Sequence, residues 1–241
     1  MKIPESGRDP APLVGAPDVG AVASKPTELP AGARLRRWCE MVVMFVVAPL
    51  VLAVFMRGWL VFRAIWALGA VCLVALLRDP TFDRRQMGNR RGFRAGWRFS
   101  AVSFLMLAPM LTAALWILDP GRVLSLPLQR PGLWAVIMVG YPVLSVYPQE
   151  VAFRAFFVHR YEMLMSRNEL VWMCAVAFGF AHIIMHNWFA VAACTVGGVL
   201  FTLNYLRTRS VLSVSLEHAA YGCFMFTVGW GSYFYGGSMG R

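Results

Sequence analysis

The chain has 241 residues, of which 59% are hydrophobic and 15% charged, with a mean hydropathy of +0.58. Soluble domains run nearer about 45–50% apolar and about 25% charged, so a water-soluble domain, a coiled coil, a collagen and a fully disordered chain are all excluded. The formal net charge of +11 suggests nucleic acid at first sight, but the Arg residues lie between long apolar runs, the pattern of a membrane protein.

In chain order, residues 1–33 are rich in Pro, Gly and Ala with scattered charges and lack a continuous apolar segment. They are expected to form a disordered cytoplasmic tail without a cleavable signal peptide. A membrane-crossing helix needs about 20 apolar residues. Seven stretches approach that length, at 38–56, 58–77, 99–118, 132–158, 170–186, 188–206 and 211–230. The expected fold is therefore all-α, a polytopic transmembrane helix bundle of about seven spans. It divides into N-terminal helices with a basic loop over 34–131, core helices over 132–230 and a short tail over 231–241.

The fourth stretch carries Pro142 and Pro148, which predict a kink or a split. Asn187 alone separates the fifth from the sixth, which predicts a tight helical hairpin. Ala193–Gly197 and Cys194–Gly198 are small-xxx-small pairs that let helix backbones approach closely. The five cysteines form no CxxC pair and read as small hydrophobes within helices.

Arg34, Arg36 and Arg37 precede the first stretch, and seven Arg residues from Arg78 to Arg98 follow the second. Arg160 and Arg167 follow the fourth, and Arg207 and Arg209 the sixth. The intervening loops hold only Arg57, Arg122 and Arg130, besides Arg241 at the end. This alternation predicts a cytoplasmic N-terminus and a C-terminus outside. With no basic stripe on a folded soluble surface, no nucleic-acid partner is expected; the bilayer is.

Ionisable groups inside a membrane helix cost about 2.5–3.5 kcal/mol on insertion scales and mark function by default. Here they collect in the second half: Glu150, Arg154, His182, His186, Glu217 and His218. All four histidines of the chain fall between His159 and His218. Glu150 and Arg154, four apart, face one another on a helix, a neutralised structural pair if taken alone. His182 and His186 are expected on one face of the fifth helix, and His218 lies within the seventh. A desolvated carboxylate can take a proton from water, and imidazoles can steady an oxyanion and protonate a leaving amine. That chemistry hydrolyses an acyl bond. Glu150, His182, His186 and His218 also supply donors for zinc, although no HExxH is present, so a cofactor-free site is expected with zinc as the alternative.

Three ordered motifs carry these residues: Gln149-Glu-Val-Ala-Phe-Arg154, Phe178-Gly-Phe-Ala-His182 and His218-Ala-Ala-Tyr-Gly222. Together, over about 132–230, they resemble the signatures of the CPBP intramembrane proteases. That family includes the type II CAAX prenyl endopeptidases and bacterial relatives linked to bacteriocin processing and self-immunity. The resemblance implies an intramembrane endopeptidase of glutamic or metal-assisted type, acting on a membrane-associated peptide or protein, with Glu150, Arg154, His182 and His218 as its catalytic residues. It also favours a bacterial inner membrane. Two positions depart from the family pattern. Gln149 stands where the family has its water-activating Glu, and Gly222 stands where it has Asn. Gln149, His186, Asn187 and Tyr221, with Asn204 a further substitute, are the expected supporting residues. A catalytically inactive binding or scaffold protein of the same fold, and a small ion-coupled transporter, are the alternatives.

Overall fold

The computed structural model describes residues 29–55 and 58–234. Most of the expected N-terminal tail and residues 235–241 of the C-terminal tail lie outside the described residues, as does Arg57. Among the described residues there is no strand, and seven helices are long and apolar enough to cross a membrane. They are α1 (Ala31–Phe55), α2 (Trp59–Arg78), α3 (Arg90–Leu118), α4 (Pro131–Tyr161), α5 (Arg167–Met185), α6 (Trp188–Thr208) and α7 (Val211–Val228). The seven expected spans are all present.

Several helices start before their apolar stretches, because a helix runs to its cap and not to its last apolar residue. α3 begins beside Asn89, whose side chain accepts from the Gly92 amide at 3.0 Å. α5 begins at a capping box in which the Glu169 side chain accepts from the Ser166 amide at 2.7 Å while the Ser166 hydroxyl accepts from the Glu169 amide. Asn187 caps α6 by accepting from the Phe189 amide at 2.9 Å, and donates to the Tyr233 carbonyl. It is the hinge of the expected hairpin, and its side chain ties the start of α6 to the segment that follows α7.

The Arg-rich loops meet at one end of the bundle. Arg160 of α4 makes two parallel hydrogen bonds of 2.8 Å to Glu40 of α1, and the Tyr161 hydroxyl donates to the same carboxylate. Arg209 pairs with Glu162 at 2.8 Å, and Asn89 donates to the Thr208 carbonyl. At the opposite end the Tyr233 hydroxyl, after α7, donates to Asp119 of the loop after α3, and Arg122 pairs with the same carboxylate.

At the Arg-rich end Asp79 accepts from the Thr81 hydroxyl at 2.6 Å and the Thr81 amide at 2.9 Å, with His159 Nε2 3.1 Å from its second oxygen. These bonds, Thr81's foremost, hold the Asp79 carboxyl down at about 2 against an ordinary 3.8. A carboxyl depressed by folding adds stability above its unfolded value and loses it as pH falls through the folded one. Hydrogen-exchange protection of the Thr81 amide, normalised to its intrinsic rate, is therefore expected to stay level from neutral pH to about 4. It should then fall between about pH 4 and pH 2. In Asp79→Asn that fall should be absent.

The principal core lies toward the Arg-rich end and joins both halves of the chain. Phe45 of α1 sits edge-on to Phe153, Phe157 and Tyr161 of α4, with ring centroids 5.0–6.2 Å apart. Gly69 of α2 admits the backbone of α4: a Cβ there would stand 2.8 Å from Pro148 Cβ and 3.1 Å from its Cα. Gly198 of α6 lies in the same way against Ala175 of α5, and Gly179 of α5 against Val191 and Thr195. The Cys194–Gly198 pair thus contributes Gly198 to the close approach. Ala193 and Gly197 face a cavity instead.

α4 does not split at its prolines. Pro142 offers no amide to the preceding turn, and the helix widens there to i→i+5 bonding over Pro142–Val146. It widens again over Val151–Phe156, directly after Glu150. Single wide turns of this kind recur at functional sites because they re-aim the side chains on either side of them.

Candidate active site

Gln149 and Glu150 sit on the regular turn between the two wide turns of α4 and, as neighbours on a helix, point in different directions. Glu150 points into the protein, with no exposed surface. One of its oxygens accepts from Nδ1 of His218, on α7, at 2.7 Å. The other lies 3.3 Å from Nε of Arg154, itself fully buried. The guanidinium stands over the Phe178 ring, 4.6 Å from its centroid, and donates to Cys174 Sγ at 3.6 Å. The Cys174 thiol in turn donates to the Phe153 carbonyl at 2.8 Å. Residues four apart on α4 are paired as the sequence suggested, and the pair is joined by the imidazole of a different helix.

His218 is held on every side. Its ring stacks on Phe201 of α6 at 4.7 Å and meets the edge of Phe178 of α5 at 5.4 Å. Nδ1 is engaged by the carboxylate, which can only accept, so Nδ1 carries the hydrogen and Nε2 holds the lone pair in the neutral ring. Nε2 lies 3.0 Å from the hydroxyl of Tyr141. This carboxylate–imidazole arrangement fixes a tautomer and turns one nitrogen outward, as the buried acid of a catalytic triad does.

Phe178 links the motifs. Its ring contacts His218 and Arg154, and its carbonyl accepts from His182 Nδ1 at 2.8 Å. α5 ends in a tighter turn over His182–Met185, leaving His186 in the left-handed region at φ 52°. The two histidines therefore do not share a helical face, contrary to the i,i+4 expectation. The break is also what brings His182, near the end of its helix, within one ring of His218.

Beside these groups lies a cavity of about 1620 Å³ to which all seven helices contribute. Its lining is mostly apolar. The polar side chains on it include Tyr141, Ser145, Gln149, His182, His186, His218 and Tyr221. A large apolar cavity with a few convergent polar groups is the usual form of a binding site. Gln149 faces it and donates to the Ser145 hydroxyl at 2.8 Å. Glu150 and Arg154 do not line it. The group that the sequence makes the water-activating base is enclosed, and His218 Nε2 stands between it and the cavity.

The supporting residues are divided. His186 and Tyr221 line the cavity, and Tyr221 packs edge-on against Phe104. Asn187 is occupied at the helix ends, and Asn204 donates to Glu217 at 2.6 Å on the other side of α7. Zinc ligands do not assemble. Glu150 is committed to His218 and Arg154, and among the described residues no three His, Cys, Asp or Glu side chains are placed to hold a metal ion. The donors present do not fit zinc. Sequence reasoning missed Tyr141; an isolated Tyr one residue before a proline, in the span that carries Glu150, was its only trace.

Residues 127–224 match the family model described as type II CAAX prenyl endopeptidase Rce1-like. That stretch, somewhat under half of the chain, contains all three motifs and supports membership of the CPBP family that they resemble. No curated protein and no solved structure matches the chain. Seven helices long and apolar enough to cross a membrane make the chain an integral membrane protein, and its 127–224 stretch is similar to the type II CAAX prenyl endopeptidases.

Proposed function

We propose that the chain is an intramembrane endopeptidase that hydrolyses a peptide bond of a membrane-associated substrate, with His218 as base and Glu150 as the group that orients it. The observation that carries this reading is the 2.7 Å bond from His218 Nδ1 to the enclosed Glu150 carboxylate, which leaves Nε2 on the cavity side. Water at the cavity wall loses a proton toward Nε2 as its oxygen bonds the scissile carbonyl carbon. The Glu150 carboxylate stabilises the imidazolium that forms, and Arg154 Nε lies 3.3 Å from its other oxygen. The amide of Gln149 retains a second N–H beyond the one given to Ser145, a donor for the oxyanion. On collapse the C–N bond breaks and His218 returns the proton to the leaving amine.

The apolar lining fits a substrate segment that is itself apolar. The Arg distribution supports an Arg-rich end in the cytoplasm, and the resemblance to bacterial relatives supports a bacterial inner membrane as the setting.

The test uses the full chain in vesicles with a pool of quenched fluorescent peptides, each anchored by one apolar helix. Wild-type protein is expected to release fluorescence, and Gln149→Glu to lower the initial rate about 100-fold, because a carboxylate replaces the amide N–H that faces the oxyanion. Failure of the wild-type protein to cleave any member of the pool would overturn the reading.

A further inference from the structure

The hydroxyl that meets His218 Nε2 belongs to Tyr141, and the ring that carries it has its place because residue 222 has no side chain. A Cβ on Gly222 would stand 2.5 Å from both the phenol oxygen and the ring carbon that bears it, and would collide with the ring edge. Tyr141 is further fixed by Phe226, whose ring lies edge-on to it at 5.5 Å. Three helical positions are thus matched: a glycine on α7, an aromatic ring on α4 filling the space it leaves, and an imidazole one turn from the glycine receiving the ring's hydroxyl.

In this arrangement the nitrogen that must take a proton from water is already the acceptor of a hydrogen bond. Resting on the endopeptidase reading above, we infer that Tyr141 is a catalytic residue that relays the proton between cavity water and His218. Tyr141 lines the cavity, so its oxygen can accept from a water there while its own hydrogen points at Nε2.

In the attack step the water O–H bond breaks and its proton binds the Tyr141 oxygen. The hydrogen that Tyr141 carried passes to Nε2. The water oxygen bonds the carbonyl carbon, and the π pair of the carbonyl moves onto its oxygen. In the collapse step that pair returns, the C–N bond breaks, and the amine nitrogen takes a proton from Tyr141 as Nε2 gives its own back. Tyr141 ends each turnover as it began, and no further reactant is needed.

Tyr141→Phe keeps the ring and removes only the hydroxyl. In the peptide assay it is expected to lower kcat about 100-fold with KM changed less than about threefold, the size of effect that loss of a positioned acid–base group has. Gly222→Ala, which displaces the ring, is expected to do the same. The second readout is the ¹⁵N spectrum of histidine-labelled protein. The His218 Nε2 resonance should move toward that of a nitrogen without a donor in both variants, while Nδ1 keeps its proton. If Tyr141→Phe cleaves within twofold of wild type, or its Nε2 resonance is unmoved, the relay is overturned and the endopeptidase reading stands. A wild-type protein without cleavage, or a His218→Ala variant that cleaves at the wild-type rate, overturns that reading and the relay with it.

Discussion

Glu150→Ala is expected to be the most damaging single substitution in the protein. It leaves the Arg154 guanidinium fully buried with no carboxylate within reach. Removing one partner of a buried ion pair typically destabilises by about 3–5 kcal/mol, because the remaining charge has lost both water and its counter-ion. Cleavage should vanish as well, since His218 loses the acceptor on Nδ1. Two further variants separate these effects. Glu150→Gln keeps an oxygen for His218 Nδ1 but no negative charge to stabilise the imidazolium. Its rate should fall by about 10²–10⁴-fold, as for a triad acid replaced by its amide. The double variant Glu150→Gln, Arg154→Met removes both charges and is expected to regain much of the stability without the activity. Unfolding in detergent, followed by circular dichroism against denaturant, reads the first quantity and the peptide assay the second. If the double variant cleaved like wild type, the pair would be structural only.

His218→Ala is the second large effect, and a different one. The imidazole fills a slot between Phe201 and Phe178 without being the sole partner of a buried charge, because Arg154 stays beside Glu150. The bundle is therefore expected to remain folded while kcat falls by about 10²–10⁴-fold. The vacated slot adjoins the cavity, so imidazole added to the medium can enter it. A saturable partial recovery of cleavage with imidazole is expected in His218→Ala and not in the double variant His218→Ala, Glu150→Ala, where the slot is equally open but nothing orients the added ring. Equal recovery in both would remove the orienting role from Glu150.

The seven spans were legible because each carries its own signal, a run of apolar residues long enough to cross a bilayer. The gathering of Arg34–Arg37, Arg78–Arg98, Arg160 and Arg209 at one end followed from the parity of the spans, a count that needs no tertiary information. The site was legible only as a set of misplaced charges. That Glu150 would pair with Arg154 was readable from their spacing of four; that His218 would join them was not, because it stands 68 positions away on another helix. That Glu150 would be sealed from the cavity was not readable, because it depends on which side of α4 packs inward between its two wide turns, at Pro142–Val146 and Val151–Phe156. The turn after Ala181, which separates His186 from His182, is equally invisible in a hydropathy profile. Tyr141 was hidden for a third reason: its role depends on the empty volume at Gly222, 81 positions away and on another helix.

α7 carries a polar group on each of two opposed sides. Toward α4, His218 meets Glu150 and Tyr141; toward α3 and α6, Glu217 accepts from Asn204 at 2.6 Å and lies 3.5 Å from the Ser103 hydroxyl. With α4, it is the least hydropathic of the seven helices. A helix with two such groups is a poor candidate for entering lipid unaided, where each uncompensated ionised group adds about 2.5–3.5 kcal/mol. Every partner it needs precedes it in the chain: Ser103 on α3, Tyr141 and Glu150 on α4, Asn204 on α6. As the chain emerges during synthesis, the sockets for Glu217 and His218 are therefore made before the helix that fills them. Insertion of α7 and completion of the site become one event, and a nascent protein arrested before that helix holds Glu150 and Arg154 together but lacks His218, the imidazole that the Glu150 carboxylate orients.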